Sequence, residues 1–447
     1  MSRLAVLEDL DLARRTVLRS RGFDQVEVTP ELAAGIERIF GAPLTPEQVV
    51  ARIIADVRQD GDAAALDYAH RIDGSTLDAL EVPRAQINHA YATTPPELLA
   101  ALQTAVDQVR AYHERQHQES WTHWTAAGAT GQIVRPLHRV GLYAPGGRAI
   151  YPSTVIMAAV PAAVAGVEEV VVCSPASTAG AVAPLILAAC KLCHVDRVFA
   201  LGGAQAIAAM AYGTQTVPRV DKILGPGSLF VVLAKRQVFG AVDIDQLPGP
   251  TETVVIADDS ANPAWVAADV LAQAEHDALA SPILIVTSRV LAERVNDEIE
   301  CQQARLSRRE IIEASLQRNG AAIVAGSLEE AVELANEYAP EHLCLLVRNA
   351  WDVLGLVRNA GGVFVGEACA EALGDYVVGP SHIMPTGGTA RFSSPLNLND
   401  FLKITSLFAL NQTGVAALAA PAIALAEAEG FTAHAQAIRL RASATEA

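Results

Sequence analysis

Gln273 and His276, in the run LAQAEH, close a stretch with helical spacing. At i and i+3 they share a face and could reach one ion, although a capping or solvated pair at a helix end has the same spacing. Glu341 and His342 are adjacent in YAPEHL, just before a strand-like run. A carboxylate beside an imidazole can share acid-base work, or it can sit solvated at a strand end. Pro340 fixes the approach to that strand, and the ends of parallel strands face ligand crevices. Asp375 in ALGDYVVG and His434 in GFTAH also carry metal-competent atoms, but each reads equally well as a turn aspartate or a surface histidine, and no short spacing joins them. Together these four residues offer two imidazole nitrogens, a carboxylate and an amide oxygen, a borderline donor set suited to Zn²⁺ with positions left for substrate.

Three glycine loops follow strand-like runs: YAPGG (143–147), GGAQ (202–205) and GPGS (225–228). Each can bring backbone amides or a helix N-terminus toward a phosphate, or be a plain tight turn between strand and helix. None fits G-x-G-x-x-G with a downstream acidic residue, so any dinucleotide binding is atypical. Cys190-Lys191-Leu192-Cys193-His194 matches the C-x-x-C-H pattern of haem attachment. It closes an apolar helical run where free thiols pack as small hydrophobes, and a lone CxxC is poor evidence for structural zinc.

The elements that must position these groups alternate. Residues 1–130 read as helical, with PEQVVARIIADVRQDG and PPELLAALQTAVDQVRAYHERQHQES carrying apolar residues at helical spacing. From residue 138 short β-rich runs alternate with helical ones, as in RVGLYA, EEVVVCS, DRVFALGG and VDKILGPG, each followed by a helical segment; this implies parallel sheet. The alternation resumes with TVVIAD, SPILIVT, AAIVAG and HLCLLVR, which suggests a second α/β unit. GEACAEALGDYVVGPSHIMPTGGTARFSSPLNLND is loop-like and too long for a mere connector, and long ordered loops carry function. The C-terminal stretch returns to helix, with Gly430 as the break between two segments.

Length and composition limit the functions available. At 447 residues the chain exceeds one simple core, and 51% hydrophobic residues against 19% charged describe a globular enzyme-sized protein. A formal net charge of -17 disfavours attraction to nucleic acid or anionic lipid. The N-terminus shows no uninterrupted apolar region of a signal peptide, and AGAVAPLILAACKLC (179–193), too short to span a bilayer, suits a buried crossover helix. Six cysteines, mostly within apolar runs, read as buried thiols of a reducing compartment, hence the cytoplasm.

Read in order, GLYAPGGRAIYPSTV, GGAQAIAAMAYGT, VDKILGPGS, GPTETVVIAD, LAQAEHD, YAPEHL, GDYVVGPSHIMPT and FTAH resemble the signature blocks of the histidinol dehydrogenase family, over about residue 30 to the C-terminus. The resemblance implies an α/β protein of two doubly wound, mostly parallel-sheet domains of incomplete Rossmann type, aldehyde-dehydrogenase-like, with helical N- and C-terminal extensions. Residues 1–28 would be a helical tail and 29–142 plus 252–395 a discontinuous first domain. Residues 143–251 would be an inserted second domain and 396–447 a helical dimerisation segment. It also implies oxidation of L-histidinol to L-histidine with NAD, one Zn²⁺ per subunit held by Gln273, His276, Asp375 and His434, and His434 supplied by the other subunit of a homodimer. Glu341 and His342 would be the acid-base residues, Thr251 and Glu429 would complete the substrate pocket, and Tyr143, Gln205 and Ser228 would contact NAD. His342, with an ordinary pKa near 6.5, would take the alcohol proton, and Glu341 would activate water to hydrate the aldehyde.

Two positions depart from the family pattern. Ser228 stands where GPGN is usual and can replace only part of an amide's hydrogen bonding, and Pro248 stands where alanine is commoner. A relative acting on another zinc-chelating amino alcohol or a sulfonated diol would share this machinery. Glu429 favours histidinol, because a carboxylate there meets an imidazole whereas a sulfonate wants a cation. A catalytically silent metal-stabilised dimer would not need Glu341 and His342, and a zinc hydrolase would leave the glycine loops without purpose.

Overall fold

A computed structural model describes residues 3–19, 28–146, 150–177 and 180–443. Two parallel sheets dominate. The five-stranded sheet has Arg139–Tyr143 at its centre, flanked by Glu169–Ser174 and Arg197–Ala200 on one side and by Lys222–Leu224 and Asp243–Ile244 on the other. The six-stranded sheet is centred on Glu252–Ala257, with Ser281–Val286 and Ala321–Val324 on one side and His342–Leu346 and Gly362–Val365 on the other. Numbered within each unit, both sheets run 3-2-1-4-5, the doubly wound order 3-2-1-4-5-6 without its last strand. The repeated alternation of strand and helix forces this result, since a parallel strand can be reached only by a crossover. Both faces of the sheets are covered, so Glu252–Ala257 and Ser281–Val286 are buried along their whole length.

The sixth strand of the larger sheet is Ala5–Leu7, which pairs in parallel with Ala321–Ile323. The stretch expected to be a helical tail therefore closes a sheet edge before its short helix, Leu10–Arg15. The helices between residues 30 and 113, grouped by the sequence reading with the later sheet, pack instead on the five-stranded one. Pro46–Asp60 lies against Gly203–Tyr212 and Leu229–Val238, Arg84–Thr93 against Pro184–Leu192, and Pro96–His113 against Pro152–Ala165. The reason is composition. Gly203–Tyr212 buries every residue from Ala204 to Ala211, and a helix apolar all round needs a second layer outside it. Pro46–Asp60 suits that role: Thr45 and Gln48 form a capping box, Gly61 (φ 59°) ends the helix, and Val49, Val50, Ile53, Ile54 and Val57 form one buried stripe.

A third sheet was not anticipated. Trp121–Thr125, Gly128–Pro136 and Leu402–Leu410 pair antiparallel, so residues up to 130 are not all helical and the C-terminal segment starts with a strand. Gly128 turns the hairpin at φ 125°, where an added Cβ would lie 2.1 Å from the Ala409 carbonyl oxygen. Helices Gln412–Ala428 and Thr432–Ser443 follow, broken at Gly430 (φ 80°) as the sequence indicated. They pack mainly on each other and bury only Gly414, Ala419 and Ala435. The stretch 366–400 is loop-like apart from the helix Glu371–Tyr376 and two short 3₁₀ turns. Four of the six cysteines are buried, while Cys301 is exposed and Cys369 partly so. No helix among the described residues is long and apolar enough to cross a membrane.

Candidate active site in the cleft between the sheets

A cleft of about 920 Å³ is lined from both sheets. The five-stranded sheet contributes Tyr143, Gln205 and Ser228, and the six-stranded sheet contributes Thr251, Glu341 and His342, joined by His276 and Asp375. The two sheets meet it with opposite ends. Tyr143 is the last residue of its strand, while Gln205 and Ser228 follow strands at the start of helices. Thr251 precedes Glu252–Ala257, and Glu341 and His342 lie at the start of His342–Leu346. The crevice rule for carboxyl ends thus holds for the first sheet only; Glu341 and His342 sit at the amino ends of the second.

Around His342 lies a group of buried polar side chains. Thr251 Oγ1 donates to Glu341 Oε2 at 2.6 Å, and the Glu252 amide donates to the same oxygen at 3.2 Å. His342 Nδ1 lies 3.8 Å from Glu341 Oε2 and 3.7 Å from Glu371 Oε1, and its Nε2 lies 3.9 Å from Asp375 Oδ1. Neither ring nitrogen has a hydrogen-bond partner. Burial pulls the His342 imidazole down to about 3, helped by the neighbouring His276 and His382. Its ordinary value near 6.5, assumed from the sequence, does not survive the fold. Burial also pushes Glu341 to about 8 and Asp375 to about 6, and holds Glu371 well above the carboxylate range. A neutral imidazole with two free nitrogens inside a ring of carboxyl groups can receive a proton and be stabilised once charged.

Gln273, His276 and Asp375 converge on the same wall. Gln273 and His276 lie in the last turn of Pro263–His276, Gln273 Oε1 lies 3.5 Å from Thr251 Oγ1, and His276 Nε2 faces Asp375 Oδ2 across 4.0 Å. The His276–Asp375 separation is too long for a hydrogen bond. It is closer to the spacing of two donors each about 2 Å from one ion. Gln273 is fully buried and its Nε2 has no partner. Desolvation, reinforced by Arg308, lowers His276 and keeps its nitrogen lone pair free to ligate. These three side chains fit a zinc-type ion. They do not complete a site, since no group of three His, Cys, Asp or Glu among the described residues converges as a metal cage.

The opposite wall is built from backbone. The Tyr143 hydroxyl accepts from the Gly203 amide at 3.2 Å, and burial raises this phenol to about 12. Gly225 (φ 107°) runs so close to Tyr143 that a Cβ would lie 2.3 Å from its carbonyl oxygen. Ser228 caps Leu229–Val238 by position without a side-chain capping bond, leaving its hydroxyl uncommitted. The starts of Pro152–Ala165, Gly203–Tyr212 and Leu229–Val238 all line the cleft, and Arg308 is the one Lys or Arg among its described lining residues. Anion binding here would depend on helix termini. Gly147, the end of the first glycine loop, lies outside the described residues.

Glu429 and His434 are not in the cleft. Glu429 is the C-cap of Gln412–Ala428 and His434 lies in the following helix; both are exposed, with the His434 ring against Phe431. Conversely, the sequence reading missed Glu371, Glu252 and His382. Glu371 takes the Thr253 hydroxyl at 2.8 Å, Glu252 accepts from the Gly387 amide at 3.1 Å, and the His382 ring meets the Asp375 carbonyl at 2.8 Å. Only Glu371 left a signal, four residues before Asp375 and hence one helical turn away.

A sequence-family profile described as histidinol dehydrogenase matches residues 44–442. The histidinol dehydrogenase of Deinococcus radiodurans is 52% identical over 424 residues, covering 94% of this chain and 97% of that protein. That of Geobacter sulfurreducens is 51% identical over 428 residues, covering 95% and 98%. The crystal structure of histidinol dehydrogenase from Elizabethkingia anophelis superposes with a TM-score of 0.91 at 30% identity, covering 100% of this chain and 99% of that one.

Proposed function

The chain belongs to the histidinol dehydrogenase family, and we propose that it oxidises L-histidinol to L-histidine by way of L-histidinal, with NAD as oxidant and one zinc ion per subunit. The observation that carries this reading is a single cleft lined by Glu341 and His342, by His276 and Asp375, and by Tyr143, Gln205 and Ser228. Gln273, His276 and Asp375 would hold the ion, with His434 as a fourth ligand. When bound, zinc would hold and orient the substrate through its amine and imidazole nitrogens. Two NAD⁺ in succession would supply the four-electron oxidation, one hydride acceptor for each step.

The chain's own groups move the protons. His342 takes the proton of the alcohol as hydride leaves the carbon, and Asp375, the ionised carboxylate 3.9 Å from its Nε2, stabilises the imidazolium. The low proton affinity that burial gives His342 then favours release. Glu341, held by the Thr251 hydroxyl and the Glu252 amide, has the higher proton affinity of the pair and, in its ionised form, takes a proton from the water that hydrates the aldehyde. The resulting gem-diol gives up the second hydride and yields the carboxylate.

The exposed position of Glu429 and His434 supports a homodimer with shared sites. The C-terminal arm and the antiparallel sheet expose Trp124 (75%), Phe408 (81%), Leu425 (65%) and Leu440 (61%), more apolar surface than an isolated arm tolerates. A second copy covering this arm would carry Glu429 and His434 to its partner's cleft. We read the enzyme as cytoplasmic, and its free, mostly buried cysteines are in keeping with a reducing compartment. The test is histidinol-dependent NADH formation that a chelator abolishes and zinc restores. No NADH from histidinol, with turnover of a different amino alcohol or a sulfonated diol, would overturn the substrate assignment.

A further inference from the structure

One carboxylate in the cleft lies far from the acid-base group and plays no part in the proton steps. Asp73 is the last residue of helix Asp62–Asp73 and lines the cleft beside Tyr143, Gly203 and Gln205. Its carboxylate accepts from Gln205 Nε2 at 3.2 Å. Its Oδ2 comes so close to the start of Gly203–Tyr212 that a Cβ on Gly202 would lie 3.3 Å away. Gln205 is fully buried, and while its nitrogen is held by Asp73, its Oε1 has no partner. Asp73 thereby fixes the amide with the acceptor side left over, and the pair presents a carboxylate and an orphaned carbonyl to whatever enters.

This arrangement makes the three helix starts inequivalent. A negative side chain already occupies the start of Gly203–Tyr212, so an anionic ligand group there would meet like charge. The starts of Pro152–Ala165 and Leu229–Val238 carry no acidic residue in their first turns. The cleft lining also includes Ile36, Ile39, Phe40, Ile53 and Ile72, and the two guanidiniums against that wall are already engaged: Arg71 pairs with Asp67 and donates to the Ile39 carbonyl, and Arg52 and Arg71 lie over the Phe40 ring. An apolar wall and a carboxylate whose neighbouring guanidiniums are engaged elsewhere suit a flat base carrying an uncharged hydroxylated sugar.

We propose that Asp73, seated on Gln205, is the residue that selects the dinucleotide: it accepts the adenosine ribose hydroxyls and excludes a ribose 2′-phosphate. This rests on the reading of the cleft as a nicotinamide dinucleotide site. Carboxylates take paired ribose hydroxyls as charge-assisted acceptors, whereas a phosphate in the same place stands against Asp73. Asp73 acts by binding and has no share in the chemistry.

The experiment is equilibrium titration of the full-length protein with NAD⁺ and with NADP⁺, followed by calorimetry without substrate, for the wild type, Asp73→Asn and Asp73→Ser. Thermal melts confirm that each variant is folded. The wild type should bind NAD⁺ and prefer it over NADP⁺. Asp73→Asn should bind NAD⁺ about tenfold more weakly, the loss expected for one charge-assisted hydrogen bond. Asp73→Ser should narrow the preference by about tenfold or more, because the like-charge clash is gone. Folded variants with unchanged affinity for both dinucleotides overturn the role of Asp73 and leave the NAD assignment standing. A wild type that binds neither dinucleotide overturns that assignment itself.

Discussion

Replacing Lys235 by methionine tests whether a buried ion pair holds the loop that carries Ser228. The Lys235 and Asp245 side chains are 0% and 3% exposed and in direct contact. Lys235 Nζ donates to the Gly225 carbonyl at 3.0 Å, while Asp245 accepts from the Gly225 amide at 2.7 Å and from the Gln246 amide at 2.6 Å. Both polar groups of Gly225 are thus clamped by one pair. Removing one partner of a buried pair costs about 3–5 kcal/mol. The lower end applies here, because the orphaned Asp245 keeps two backbone donors. The lost bond to Gly225 adds about 1 kcal/mol. Methionine fills most of the volume of the lysine stem, so no large cavity opens. Together these terms give about 3–4 kcal/mol of local destabilisation, or two to three orders of magnitude in opening. The assay is native-state amide hydrogen exchange of residues 225–246 read by mass spectrometry, which reports local opening free energies in a chain too large for a two-state melt. Lys235→Met should lower protection there by two to three orders of magnitude and weaken NAD⁺ binding. The double variant Lys235→Met/Asp245→Asn should recover part of the loss, since no buried charge is left unpaired. A loss of protection below tenfold, or a double variant no better than the single, would falsify the clamp.

Other expectations concern the site and the fold. His342→Asn should lower kcat by about two to four orders of magnitude while zinc content and NAD⁺ titration stay near wild type; undiminished steady-state NADH production refutes the role given to His342. Separately inactive His342→Asn and His434→Ala chains, co-expressed, should regain about a quarter of wild-type activity, because half of randomly formed dimers are mixed and each mixed dimer rebuilds one of two shared sites. A mixture that stays inactive contradicts site sharing. His113 is buried with its Nδ1 against the Val109 carbonyl, and desolvation lowers its pKa below 6.5. Above that value both folded and unfolded chains hold it neutral. Below it the unfolded chain binds a proton that the folded one refuses, so stability falls with falling pH by up to about 1.4 kcal/mol per unit until the folded value is reached. His113→Phe should therefore flatten the dependence of Tm on pH between 6.5 and 5 relative to wild type, and parallel curves would exclude this origin.

The alternation of strand and helix from residue 138 onward made two parallel sheets legible, because period and connectivity are local properties of the chain. The helix break at Gly430 was readable for the same reason. Gln273 and His276 were visible as a pair because i and i+3 meet on any helix. Which sheet the helices of residues 30–113 cover was not legible, since an apolar stripe does not name its partner; the all-round apolar helix Gly203–Tyr212 decided it. Nor was the edge of the cleft at which Glu341 and His342 stand, which depends on how two sheets face each other. Glu371 and Asp73 belong to no motif in the sequence, and only the fold sets them beside His342 and Gln205. The sequence carried the identity of the reactive groups and the local elements that bear them. Tertiary structure alone decided their proton affinities, because desolvation is set by neighbours distant in the chain, and it alone left His434 on an exposed arm, where a side chain reaches a site only if another surface brings the site to it.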